Sequence, residues 1–113
     1  MVKKMVEMGM LYDFYGQLLT DKQRDTIDLY YNNDLSLGEI AETVNVSRQG
    51  VYDILKRSER LLYYYEEKLG LVKKFNDQRK RITEAYGLLD GIDGSERIEK
   101  VRKMLKEMVD ADI

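Results

Sequence analysis

The chain contains no proline, no cysteine, no histidine and no tryptophan. Without proline, none of its 113 residues lacks a backbone donor or is barred from a helix interior. Without cysteine and histidine, zinc ribbons and fingers have no ligands. Cysteine-protease chemistry, disulfide exchange and histidine acid–base catalysis are excluded with them. A Gly-rich phosphate loop is missing too, and none of the 21 carboxylates pairs with a nucleophile or a base. The expectation is a protein that is not an enzyme and holds no metal or cofactor. No run approaches the roughly 20 apolar residues of a membrane span. The N-terminal stretch carries Lys3, Lys4, Glu7 and Asp13, so a cytoplasmic protein with no membrane insertion is expected.

What is present is 43% hydrophobic and 35% charged, the balance of a globular chain rather than a disordered one. Its length suits a single domain, 1–113, with its own core. Abundant Leu, Glu, Lys, Arg and Met predict an all-α fold, a small helical bundle. The net charge of −2 is unlike that of most nucleic-acid binders, but it hides a segregation. Residues 47–81 hold ten basic and five acidic side chains, whereas the remainder hold nine and sixteen. Solvated helix faces alone would explain some of this.

Apolar spacing predicts a helix over 2–19 through Val2, Met5, Val6, Met8, Leu11, Phe14, Tyr15 and Leu18. Thr20 with Gln23 has capping-box spacing and starts a helix over 21–32, ended by "NND". Ser36 with Glu39 repeats the device for a short helix, 37–44. Ser47 caps the next, which runs to Leu69 and stops at Gly70, with Val51, Ile54, Ser58, Leu61 and Tyr65 on its inner stripe. A further helix follows from Val72 through Phe75, Arg79, Ile82, Tyr86 and Leu89. "DGIDGS" (90–95) is a loop, and Ile98, Val101, Leu105 and Met108 mark a last helix.

Residues 37–55 read as a helix-turn-helix. Ile40, Val44, Val46, Val51 and Ile54 supply the apolar positions, Ala41 is small where the helices cross, and Asn45 tolerates the positive φ that such a turn needs. This core of 20–69 precedes a C-terminal helical extension, 71–113, for packing or dimerisation. In a DNA-binding unit the second helix enters the major groove. Turning about 100° per residue puts Gln49, Asp53, Lys56 and Arg60 opposite the inner stripe, with Arg48 and Tyr52 flanking. Arg48 and Gln49 suit guanine and adenine edges; Ser47, Lys56, Arg57 and Arg60 suit phosphates. Asp53 is discordant there. A hairpin that only packs, or one that binds protein, explains the buried stripe equally well.

The stretch "LLTDKQRDTIDLYYNNDLSLGEIAETVNVSRQGVYDILKRSERLL" (18–62) resembles the C-terminal, promoter-reading region of bacterial sigma factors, a sigma region-4-like unit. With "FYGQLLT" and "SRQGVYD", the chain resembles more specifically the YlxM-like family of small bacterial proteins regarded as DNA-binding. That resemblance implies an all-helical protein with a sigma-like helix-turn-helix, no cofactor and a transcription-regulating role. Family genes commonly adjoin that of the signal recognition particle GTPase, which implies a regulatory or accessory role in that pathway. The sigma reader positions fall on Ser47, Arg48, Gln49, Tyr52 and Lys56. Gly50 and Tyr52 depart from the usual sigma pattern, so no target sequence carries over.

The expected partners are double-stranded DNA and a second copy of the chain, joined through the first helix and the C-terminal helices. The other reading is a helical adaptor for protein or RNA of the signal recognition particle pathway. Its contact surface would be "YYYEE" (63–67) and "KKFNDQRKR" (73–81). Tyrosines at this density more often line a helix–helix seam. Arg79, on the apolar stripe, is a candidate partner for Glu66 or Glu67.

Overall fold

Side-chain caps at Thr20, Ser36 and Ser47 start three helices in the computed structural model, which describes residues 2–92 and 94–111. Six α-helices are found among them: α1 (Val2–Tyr15), α2 (Asp21–Ile27), α3 (Leu37–Val44), α4 (Arg48–Leu69), α5 (Leu71–Leu89) and α6 (Glu96–Asp110). The fold is all-α, as expected. Both capping boxes form: Thr20 Oγ1 accepts from the Gln23 N–H and Ser36 Oγ from that of Glu39, and each N3 side chain answers the cap's own N–H. Gly70 ends α4 in the left-handed region, and Gly91 does the same in the loop after α5. Asp93 of that loop lies outside the described residues.

Two segments depart from simple helical spacing. The predicted first helix stops at Tyr15 and tightens into a 3₁₀ turn, Gly16–Leu18. Its N-terminal apolar residues Val2, Met5 and Val6 stay exposed, as does Leu18. The predicted helix 21–32 is continuous, but Asp28–Asn32 widens into a π-helix. The Asp28 carboxylate accepts from Asn32 Nδ2 at 2.6 Å, and the Asp28 carbonyl takes the Asn33 N–H at 3.1 Å. Polar side chains thus hold the wider turn that apolar periodicity does not report.

The chain divides between Val72 and Lys73 into two compact units. In the first, Met8, Leu11, Tyr15, Leu19, Ile27, Leu55 and Leu62 form one buried cluster. α4 is its axis and packs against α1, α2 and α3. Its inner stripe runs through Val51, Leu55, Ser58, Glu59 and Leu62 rather than through Ile54 and Leu61, which are only half-buried. The one-residue displacement is what a 3.6-residue repeat allows when two apolar rows lie side by side. Buried hydroxyls are satisfied within their own helices: Ser58 Oγ donates to the Ile54 carbonyl at 2.6 Å and Thr26 Oγ1 to that of Lys22 at 2.8 Å.

Two carboxylates sit inside this unit with tyrosine partners. Tyr15 donates to Glu66 Oε1 at 2.5 Å, and the same oxygen accepts the Val72 N–H, while the Leu71 N–H donates to the Tyr15 hydroxyl. The first free amides of α5 are thereby capped. Glu59 accepts from the Tyr31 hydroxyl and stands 3.7 Å from Lys4 and 3.4 Å from Lys56.

The second unit is sparser. No side chain of α5 or α6 is fully buried. Phe75, Ile82, Tyr86 and Leu89 on α5 are half-buried, as are Ile98, Leu105 and Val109 on α6. Arg102 donates to the Leu89 carbonyl at 2.6 Å and pairs with Glu99 at 3.3 Å, placing a cation at the C-terminus of α5. Arg79, expected on the apolar stripe, is exposed instead. Its anticipated partner Glu66 is bonded to Tyr15 and Val72.

Burial and adjacent carboxylates raise the pKa of Tyr15 and Tyr31 above the usual 10.0, with desolvation the larger cause in both. Tyr63 is raised likewise, by burial and then by Glu7. A raised phenol pKa stabilises the fold fully below pH 10 and loses that contribution as pH climbs through the folded value. Denaturant midpoints should therefore hold steady up to about pH 10 and fall beyond it. Tyrosinate absorbance should show Tyr15 and Tyr31 ionising only as the helices melt.

Candidate nucleic-acid interface

The helix-turn-helix is built from a short helix, one left-handed residue and a capped long helix. Asn45 adopts φ 58° and ψ 46°, and its N–H and that of Val46 both return to the Ala41 carbonyl. This closes α3 and turns the chain sharply. Asn reaches the region with less strain than other side chains because its short amide contacts its own backbone. Ser47 then accepts the Gly50 N–H at 3.0 Å to start α4. A β-carbon at Gly50 would stand 3.1 Å from Ser47 Oγ and 3.7 Å from Val46 Cβ, so glycine leaves room for the cap. Below the turn, Ile40 and Val51 are completely buried and lock α3 against α4.

This arrangement leaves the first turns of α4 facing outward. Arg48, Gln49, Asp53, Arg57 and Arg60 are exposed, and Tyr52 keeps 43% of its surface. Leu37, at the start of α3, joins Arg48, Gln49 and Tyr52 around a shallow depression. Asp53 accepts from Gln49 Nε2 at 3.1 Å, which fixes the Gln49 amide on the surface. Its carboxylate thus has a partner one turn away, which softens the discord noted in the sequence. Lys56 bridges outward and inward: its ammonium lies 5.6 Å from the Tyr52 ring centre and 3.4 Å from Glu59. Arg60 Nε donates to the Lys56 carbonyl at 3.3 Å, a bond that does not use its terminal amino groups. The Ser47 oxygen accepts the cap bond with one lone pair, so its proton remains available to donate to a phosphate.

Glu59 is the member that spacing obscures. It was one acid among the charges of a basic stretch, yet its side chain is only 7% exposed. Its place between Leu55 and Leu62 at four- and three-residue steps was the available signal. Elsewhere, Tyr63 and Tyr64 are exposed while Tyr65 packs on the core with its ring 6.1 Å from that of Tyr15. In "KKFNDQRKR", Lys73 and Asp77 pair at 2.9 Å, which raises the lysine pKa and lowers that of the aspartate. Lys74, Arg79, Lys80 and Arg81 are exposed. α3 itself carries Glu39 and Glu42 and no cation. Among the described residues no helix is long and apolar enough to cross a membrane.

A family model described as "Putative helix-turn-helix protein, YlxM / p13 like" matches residues 2–104. A UPF0122 protein of Desulforamulus reducens is 48% identical over 112 residues, 96% of each chain. One from Acetivibrio thermocellus is 51% identical over 105 residues, 93% of this chain and 90% of its own. A relative in Bacillus velezensis is 44% identical over 107 residues, 95% and 97% of the two chains.

The turn makes a definite demand on residue 45. Asn45→Gly should leave the urea midpoint nearly unchanged, because glycine takes positive φ freely. Asn45→Val should lower stability by about 1–3 kcal/mol, since a β-branched residue there is strained. Equal midpoints for the two variants would contradict this account of the turn.

Proposed function

Because the chain belongs to the UPF0122 family of YlxM/p13-like helix-turn-helix proteins, we propose that it is a regulatory protein binding double-stranded DNA with the first turns of α4 in the major groove. The observation that carries this reading is the exposed edge from Ser47 to Arg60, held clear of the core by a capped and tightly packed turn. Arg48 and Gln49 are the base readers, with Gln49 pre-oriented by Asp53. Tyr52 packs alongside. Ser47, Lys56, Arg57 and Arg60 take phosphates, which position the helix without selecting a sequence. Lys56 reaches its phosphate from an anchor, since Glu59 ties it to the core.

Two copies would read paired half-sites about 34–36 Å apart. The apolar residues left exposed on α1 (Val2, Met5, Val6) and on α6 (Val101, Met104, Met108) are the surfaces that would join them. The site lies within the cytoplasm in this reading, where its DNA is.

Affinity for duplex DNA should fall steeply with salt, because counterions released from phosphates supply much of it. Arg48→Ala should cost about 1–3 kcal/mol on the preferred duplex and flatten the preference among sequences. Selection from random duplexes with both proteins measures this. Identical selected pools would remove the reader role from Arg48.

A second reading has its own support: α3, which crosses the backbone in DNA-bound units, brings two carboxylates and no cation. In that reading the protein is an accessory factor of the signal recognition particle pathway, and the basic start of α5 contacts its protein or RNA. Capture of purified signal recognition components should then be lost when Lys73, Lys74, Arg79 and Arg81 are changed to Glu. Undiminished capture would count against it.

A further inference from the structure

α4 carries a line of side chains longer than a groove-reading helix uses. Positions 48, 52, 56, 60, 64 and 68 lie four residues apart and read Arg48, Tyr52, Lys56, Arg60, Tyr64 and Lys68. Side chains at this spacing stand beside one another along a helix. Of the four such rows on α4, this one alone contains neither an acid nor an aliphatic residue. All six are exposed except Lys56, which is half-exposed. Tyr64 keeps 52% of its surface.

The row also has internal order. Lys56 lies 5.6 Å from the centre of the Tyr52 ring, and Lys68 lies 5.6 Å from that of Tyr64. An aromatic platform and a cation are thus paired twice. Between them Arg60 follows Lys56 at a spacing where like charges oppose the helix. Apart from Lys56, which also pairs with the buried Glu59, packing requires none of this, because the buried stripe of α4 runs through other residues. A solvated face would ordinarily alternate cations with acids along the row. Four cations and two rings that each keep about half of their surface in solvent, in line, are suited to an anionic polymer with flat, stackable groups.

The row spans about 30 Å at 1.5 Å per residue. A major groove is about 12 Å wide. The distal part, from Arg60 to Lys68, therefore extends past a groove occupied by the first turns. We propose that this row is a binding ridge for single-stranded nucleic acid, with bases stacked on Tyr52 and Tyr64 and phosphates on the four cations. The ridge shares Arg48, Tyr52, Lys56 and Arg60 with the duplex interface proposed above. Tyr64 and Lys68 lie outside the duplex interface, so the ridge and the duplex reading fail separately.

The test titrates the full chain against labelled oligouridine, labelled oligothymidine and a blunt mixed-sequence duplex, followed by fluorescence anisotropy. Both single strands should bind. Tyr64→Ala should weaken that binding about 5- to 150-fold, the span measured for loss of one base–aromatic stack. Tyr64→Phe should bind like wild type, because stacking needs the ring and not the hydroxyl. Lys68→Ala should weaken both strands and lower the salt slope by about 0.7, one phosphate contact on a single strand. None of these changes should alter duplex affinity or helix content, since both residues are solvent-facing. Tighter binding of oligouridine would assign RNA through its 2′-hydroxyl; equal binding would assign any single strand. The proposal is overturned if neither strand binds, as a ridge serving a protein partner would give. It is also overturned if Tyr64→Ala binds as well as wild type, or if Tyr64→Phe loses as much as Tyr64→Ala.

Discussion

The left-handed turn at Asn45 governs the geometry on which every outward-facing residue depends. It forces α3 and α4 to cross within three residues, and the burial of Ile40 and Val51 beneath it makes the crossing rigid. Close-packed interiors adjust poorly to small shifts, so the direction of α4 is set at its first turn. Ser47 completes the arrangement by satisfying an amide of α4 with its own side chain. Outward projection of Arg48, Gln49 and Tyr52 is a consequence of those interior demands. The same residues on a flexible loop would pay an ordering cost on binding that this turn has already met.

α4 serves two roles along its 22 residues. Its inner stripe is the axis of the first unit, and its outer rows hold the cations. Glu59 joins the two. Its buried carboxylate is acceptable only because Tyr31, Lys4 and Lys56 surround it. A charge pair of this kind gives little net stability but penalises arrangements that separate the partners. It therefore ties α1, the π-helical stretch and α4 into one register and holds the stem of Lys56 in place. Glu66 performs a related task near the other end, where one carboxylate oxygen and the Tyr15 hydroxyl satisfy the opening amides of α5.

Charge is distributed to match. α3 contributes only acids, whereas α4 and α5 carry five cations each, against four acids on α4 and two on α5. In the proposed duplex reading, an anionic ligand would meet the cationic row of α4 and be repelled by the acids of α3. Orientation would thus be set by repulsion as well as by attraction.

Much of this was legible without coordinates. Local chemistry sets helix starts and stops, so Thr20, Ser36, Ser47, Asn45 and Gly70 announce their positions in the chain. The outer face of α4 follows from rotation of about 100° per residue. The inner face was displaced by one residue, because two adjacent apolar rows look alike until neighbours choose between them. The partners of Glu59 and Glu66 could not be read, since Tyr31 and Tyr15 lie far from them in sequence, and the π-helical turn rests on local bonds among Asp28, Asn32 and Asn33 that apolar spacing does not register. Sequence by itself determined what neighbouring residues can do to one backbone: cap it, turn it or continue it. Tertiary structure alone decided which charges lie inside, because burial of a carboxylate is tolerable only where distant partners converge on it.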